Sequence, residues 1–256
     1  MEIFLHPDTW VAFLTLTFLE VVLGIDNIIF ISIATNKLPE HQQKKAQRVG
    51  LLLAMLMRIL LLIGVSYLIA MNQAFLSFDL SWIKAEITGQ SVIMYLGGLF
   101  LLYKSTKEIR HKVEGATDEN GQKAIIVKSF AAIIFQIVMI DLVFSFDSVL
   151  TAVGMTNGIN GALIIMILAV IISIIIMILF ANPVSKFVNT HPTIQMLALA
   201  FLILIGFMLI TEGAHLSHTV ILGQEVGAIP KGYLYFAIAF SLGVEALNMK
   251  MRKKTS

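Results

Sequence analysis

Seven apolar runs constrain this chain before anything else does. Residues 9–34, 49–71, 87–104, 124–151, 159–181, 193–211 and 232–249 are apolar, and each meets or approaches the roughly 20 helical residues that cross a hydrocarbon core. The third and seventh are the shortest. The expected fold is all-α, a polytopic membrane helix bundle with seven transmembrane helices in a single transmembrane domain spanning 1–256. Composition points the same way. Hydrophobic residues make up 58% of the chain and charged residues 13%, about half the charged share of a soluble domain. The first run begins after Glu2 and Asp8, lacks a basic leader and continues past Glu20 and Asp26, so it is expected to remain as a helix and not to be cleaved as a signal peptide. With no cysteine, disulfides and thiolate metal ligands are both excluded.

The basic residues orient the spans. Lys37, Lys44, Lys45 and Arg48 follow the first run, and Lys104, Lys107, Arg110, Lys112, Lys123 and Lys128 separate the third from the fourth. Lys186 follows the fifth, and Lys250, Arg252, Lys253 and Lys254 close the chain. All but three of the 18 basic residues thus fall on one side; Lys84 and Lys231 lie on the other, and Arg58 lies inside a span. The positive-inside rule then sets the N-terminus outside and the C-terminus in the cytoplasm.

One pattern occurs twice inside these apolar runs. Glu20, five residues, Asp26 and Asn27 recur 121 residues later as Asp141, five residues, Asp147 and Ser148. Acids within spans cost about 2.5–3.5 kcal/mol each on insertion scales and mark functional sites by default. Because the first and fourth spans cross in opposite senses, the repeated motif implies inverted three-helix repeats, 9–107 and 124–215, joined by a cytoplasmic linker at 108–123 and followed by a seventh helix at 230–249. Gly50 and Gly161, and Gly97-Gly98 and Gly206, are weaker echoes. Inverted repeats of this kind place a transport site near the midplane.

Glu20, Asp26, Asn27, Asp141, Asp147 and Ser148 form an all-oxygen donor set suited to a hard divalent cation such as Mn²⁺, Mg²⁺ or Ca²⁺. Residues six apart on an intact helix do not face one point, whereas Glu20, Gly24 and Asn27 share a face. Convergence of all four acids therefore calls for unwinding near Gly24 and Ser145, which would also free carbonyl oxygens as ligands. Clustered buried acids raise one another's pKa, so protons are a candidate counter-ion. Arg58 is read as a structural counter-ion to the acids, too little to neutralise four of them.

Other features rank lower. Glu212, His215 and His218, three apart near the outer end of the sixth span, are either a metal capture point or an ordinary polar helix end. Glu245 and Asn248 either extend an ion path inward or join interfacial ion pairs with Lys250 and Arg252. The methionines are scattered as core filler, and 108–123 reads as a solvated linker. No phosphate loop or basic aromatic patch suggests nucleic acid. Two rival functions use the same acids: an intramembrane aspartyl protease with Asp26 and Asp147 as its dyad, and an exporter of an organic cation or amino acid. The protease would not need Glu20 or Asp141, and the organic solute would call for an aromatic cavity where only Phe144 and Phe146 are close by.

The stretch Phe18-Leu19-Glu20-Val21-Val22-Leu23-Gly24-Ile25-Asp26-Asn27-Ile28-Ile29-Phe30, the Asp141 to Ser148 segment and the Gly97-Gly98 helix resemble the TerC/Alx family of integral membrane proteins over most of 9–249. The resemblance implies a seven-helix, multi-pass protein of the bacterial inner membrane, and manganese export as its activity. Some relatives in that family carry soluble C-terminal regulatory domains; with only Met251 to Ser256 after the last run, none is expected here. The expectation is a membrane exporter of divalent cation, Mn²⁺ foremost, with alternating access around a midplane carboxylate site. It has the lipid bilayer, the transported ion and protons as partners, no resident cofactor and no enzymatic activity.

Overall fold

The computed structural model describes residues 6–80, 82–114, 129–156, 158–159 and 161–255, the side chains of Ile25, Asp26, Ser66 and residues 252–255 excepted. In chain order the elements are α1 (Pro7–Thr35), α2 (Glu40–Ile63), α3 (Val65–Ala70), β1 (Ala74–Leu80), β2 (Ile83–Thr88), α4 (Gly89–Glu114), α5 (Phe130–Thr156), α6 (Ala162–Thr190), α7 (Pro192–Leu216), β3 (Val220–Ile221), β4 (Gln224–Glu225) and α8 (Lys231–Thr255). Proline stands at the start of α1 and α7, where its missing N–H removes no helical bond. Among the described residues, α1, α2, α5, α6, α7 and α8 are long and apolar enough to cross a membrane. The chain is thus mostly helical, as a polytopic helical membrane protein must be. The third apolar run becomes α4, whose C-terminal half carries Lys104, Lys107, Glu108, Arg110, Lys112 and Glu114; that charge keeps it out of the group of six.

Three expectations change. The second run does not continue as one helix: α2 stops at Ile63, Gly64 caps it, and α3 follows as a short separate turn. Gly50 does not open that helix but lies inside it, packed against Ile137. The all-α reading also misses a four-stranded antiparallel sheet, ordered β1-β2-β3-β4, in the connections after α3 and α7. The fourth run begins its helix at Phe130; residues 115–128, including most of the expected linker, lie outside the described residues.

Two compact units form, and each draws on both halves of the sequence. The first holds α1, α2 and α3 with α5 and α6. There α1 and α6 lie parallel, since Gly24 with Met177, Ser32 with Ser185 and Asn36 with Asn189 share one offset of 153 residues. The pair α2 and α5 is also parallel, with Gly50 on Ile137 and Arg58 on Asp141. Leu51, Leu62, Ile133, Ile137, Ile140, Ile165, Ile174 and Met177 fill the core between these helices. The second unit holds the sheet with α4, α7 and α8. Its α4 and α7 are antiparallel and touch backbone to backbone: a Cβ on Gly98 would stand 2.6 Å from the carbonyl oxygen of Gly206. Small residues at a helix crossing permit this approach in lipid, where packing replaces the hydrophobic effect as the adhesive.

Candidate functional site

Three helices of the first unit bring a charged cluster together. From α2, Arg58 is 2% exposed, although it is one of the largest side chains in the molecule. Its guanidinium binds Asp141 on α5 through a fork, Nη2 to Oδ1 at 2.8 Å and Nε to Oδ2 at 3.1 Å. Its Nη1 binds Glu20 on α1. Both acids are buried. Ser145 Oγ donates to Asp141 Oδ2 at 3.0 Å, and Asn27 Nδ2 donates to Oδ1 at 3.3 Å. Asp141 is thus the hub, accepting from α1, α2 and its own helix. Bidentate guanidinium–carboxylate geometry is the strong form of ion pairing, and burial raises the stakes of losing either partner.

Charge balance decides what this cluster is. Two carboxyl groups share a single guanidinium, in a medium that penalises unpaired charge heavily. Beside them, Asn27 Oδ1 is a buried acceptor with no hydrogen-bond partner among the described residues. A void of about 10 Å³ adjoins Glu20, walled by Leu16, Leu62, Val149, Met166 and Val170. It has room for about one water.

The other anticipated residues fall differently. Helices α1 and α5 run unbroken through Gly24 and Ser145, which corrects the unwinding expected there. Gly24 instead makes room: a Cβ at this position would overlap Met177 Sδ. On the intact α5, Asp147 is half-buried and its carbonyl accepts the Thr151 hydroxyl at 3.0 Å, while Ser148 is buried with Oγ on the carbonyl of Ser145 at 3.3 Å. Neither is among the groups bonded to Arg58. The Asp26 side chain lies outside the described residues. Among the described residues no three His, Asp or Glu side chains are grouped closely enough to hold a metal.

Glu212, His215 and Glu245 belong to the second unit. Glu212 is half-buried and His215 exposed on α7. His218 does not continue their helical face, because α7 ends at Leu216 and His218 turns into the left-handed region at φ 43°, pairing with Glu225 at 3.6 Å. Glu245 accepts from Asn248 Nδ2 at 3.4 Å. It lines an open apolar groove of about 700 Å³ with Pro192, Met196, Ala200 and Phe240.

A neutral polar cluster further along α1 escaped the sequence reading. Gln47 Nε2 donates to Ser185 Oγ at 2.8 Å and to Thr35 Oγ1 at 3.2 Å. Ser185 donates to Ser32 Oγ at 2.8 Å, and Ser32 to Asn189 Oδ1 at 3.0 Å. Asn189 and Asn36 exchange amide bonds. Gln47 Oε1 is a buried acceptor with no hydrogen-bond partner. The spacing of Ser32, Thr35 and Asn36 on α1, and of Ser185 and Asn189 on α6, was the available signal.

Comparison with known proteins agrees with the apolar, mostly helical chain. Residues 5–256 match the family described as Integral membrane protein TerC family. The chain belongs to that family. The UPF0053 inner membrane protein YgdQ of Escherichia coli K12 is 44% identical over 249 residues, covering 97% of this chain and 95% of its own. The UPF0053 protein of Haemophilus influenzae is 41% identical over 247 residues, covering 96% of each. Against UPF0053 protein YegH of Escherichia coli K12 the identity is 44% over 248 residues, 97% of this chain but only 43% of YegH, so the chain spans less than half of that relative. No solved structure matches.

Proposed function

We propose that this TerC-family protein exports a divalent cation, Mn²⁺ foremost, across the bacterial inner membrane by alternating access around its membrane acids. The observation that carries this reading is the buried Glu20–Arg58–Asp141 cluster, in which two acids share one guanidinium. A cation arriving at Glu20 and Asp141 must displace the guanidinium, and Arg58 then serves as the tethered counter-charge that returns when the cation leaves. Asp26, Asn27, Asp147 and Ser148 supply the remaining oxygens once the helices rearrange, with protons as exchanging ions. The neutral cluster from Ser32 to Asn189 offers weak, uncharged oxygens along one route from these acids, where binding must be loose enough for release. The choice of Mn²⁺ and of export rests on the family resemblance.

Helix directions support seven crossings and inverted repeats. Because α2 and α5 are parallel, the chain between them must cross the membrane once more, and α4 is the helix there to do it. Repeat symmetry exchanges α1 with α5, α2 with α6 and α4 with α7, and it maps the parallel α1–α6 pair onto the α5–α2 pair. In the second unit Gly98 meets Ile210 while Gly206 meets Leu102, the reciprocal pattern expected at a two-fold crossing. Thr35 and Thr156, again 121 residues apart, each donate to the carbonyl four residues back at 2.8 Å. With the basic residues inside, the N-terminus lies outside.

Equilibrium binding tests this site. Manganese titrated into the purified protein is expected to bind with micromolar or tighter affinity, at least tenfold weaker in Asp141→Asn and in Asp26→Asn. Unchanged affinity in both variants, with the fold intact by thermal melt, would remove the acids from the site.

A further inference from the structure

The four-stranded sheet is sharply two-faced. Register sets Leu76 opposite Ile87, Phe78 opposite Ala85, Leu80 opposite Ile83 and Ile83 opposite Ile221. Residues directly opposite share a face, so one face is apolar across β1, β2 and β3, with Gln224 of β4 at its edge. Ser77 opposite Glu86, Asp79 opposite Lys84 and Val220 opposite Glu225 make the other face mainly polar, with Lys84 Nζ on Asp79 Oδ2 at 2.8 Å. Only Ala85 on the apolar face is buried; Leu76, Leu80 and Ile221 are exposed, as are Phe75 and the two turn residues Trp82 and Leu222.

Leu222 is a second, independent oddity. It sits with Gly223 in the two-residue turn between β3 and β4, and both have positive φ, 50° and 81°. Such turns favour Asn-Gly or Asp-Gly, because a branched apolar side chain is strained at positive φ. Leu222 is nonetheless 79% exposed, so no internal packing offsets the strain. Its N–H donates to the Trp82 carbonyl at 2.9 Å, which ties the two apolar tips together.

Neither bulk phase suits this element. Open sheet edges carry unpaired backbone groups and are barred from lipid-facing hydrocarbon, while an exposed apolar face with Trp and Phe at its rim is disfavoured in water. The sheet is also continuous with membrane helices of its own unit, since β2 runs directly into α4 and β3 follows α7. We infer that the sheet lies in the membrane–water interface, its apolar face and the Trp82 and Leu222 tips docked into the phospholipid headgroup and acyl boundary. Aromatic residues partition there, and the polar face stays hydrated. The polar face mixes both signs of charge, so docking depends on apolar insertion more than on anionic lipid.

The chain has two tryptophans, so Trp10→Phe leaves Trp82 as a single reporter. Reconstituted into phosphatidylcholine vesicles, this variant is expected to show blue-shifted emission that is quenched by lipids brominated near the headgroup end of the acyl chain and shielded from aqueous iodide. Leu222→Asn, which suits the turn, should retain the thermal melt and cut that lipid quenching at least twofold. Because the chain has no cysteine, a nitroxide on Leu222→Cys gives a second reading in a protein that keeps Trp10; oxygen should reach it better than a polar nickel chelate. Emission open to iodide and blind to brominated lipid would place the sheet in water. Emission shielded from both quenchers would mean that a protein surface, such as a second copy, covers it. Either result overturns the inference.

Discussion

Asp141 accepts from Arg58, Ser145 and Asn27, so removing one partner exposes the others to an environment that cannot solvate them. Arg58→Met should cost about 3–5 kcal/mol, the usual penalty for breaking a buried ion pair from one side, seen as a lower melting temperature. If Glu20 and Asp141 receive the transported cation, Mn²⁺ should raise the melting temperature of Arg58→Met more than that of the wild type. An equal shift would leave Arg58 a purely structural partner. Gly24 makes a second prediction at this scale. Its α-hydrogen is all that the Met177 thioether permits, and overpacking of this kind costs about 1–3 kcal/mol. Gly24→Ala should destabilise, and Met177→Ala in the same chain should recover most of the loss in thermal melts. That Arg58 is a counter-ion was legible, since it stands deep inside an apolar run and away from its ends. Which acids it meets was not, because partner choice depends on the depth at which three separate helices cross. Gly24 is ambiguous for a similar reason: a glycine between acids reads equally as a hinge or as a gap for a neighbour.

At the scale of elements, lipid makes helices easy to find and strands hard. A run of apolar residues must satisfy its own backbone, so each apolar stretch is mainly helical over its described residues, although Gly64 divides the second. Strand β1 alternates over only a few residues, and its register shifts between Ala74 and Leu76, so its period of two is lost beside long apolar runs. The neutral cluster around Gln47 was hidden because hydroxyls in membrane helices commonly bond their own turn, as Thr35 does to Ile31, and so announce nothing about partners. The crossing of α4 with α7 yields a firm expectation. Gly98 and Gly206 meet through backbone atoms that cannot swing aside, unlike the flexible thioether facing Gly24. Gly98→Leu should therefore cost more than Gly24→Ala and should not be rescued by any single truncation on α7, as measured by thermal melts in detergent.

The whole molecule is organised by its crossings. The duplicated acid motif implies two related halves, and the two compact units cut across them, each taking helices from the first and second half of the sequence. The proposed sidedness rests on the basic residues. In intact cells a membrane-impermeant maleimide should modify cysteine at Asp79→Cys and spare it at Lys45→Cys; the reverse pattern would invert the topology. Metal flux is the decisive measurement for transport through the membrane acids. Purified protein in vesicles should carry Mn²⁺ in preference to Ca²⁺, Mg²⁺ and Zn²⁺, with at least tenfold loss in Asp141→Asn and in Asp147→Asn. Absence of flux for every metal in correctly oriented, folded protein, or flux indifferent to both substitutions, would contradict it.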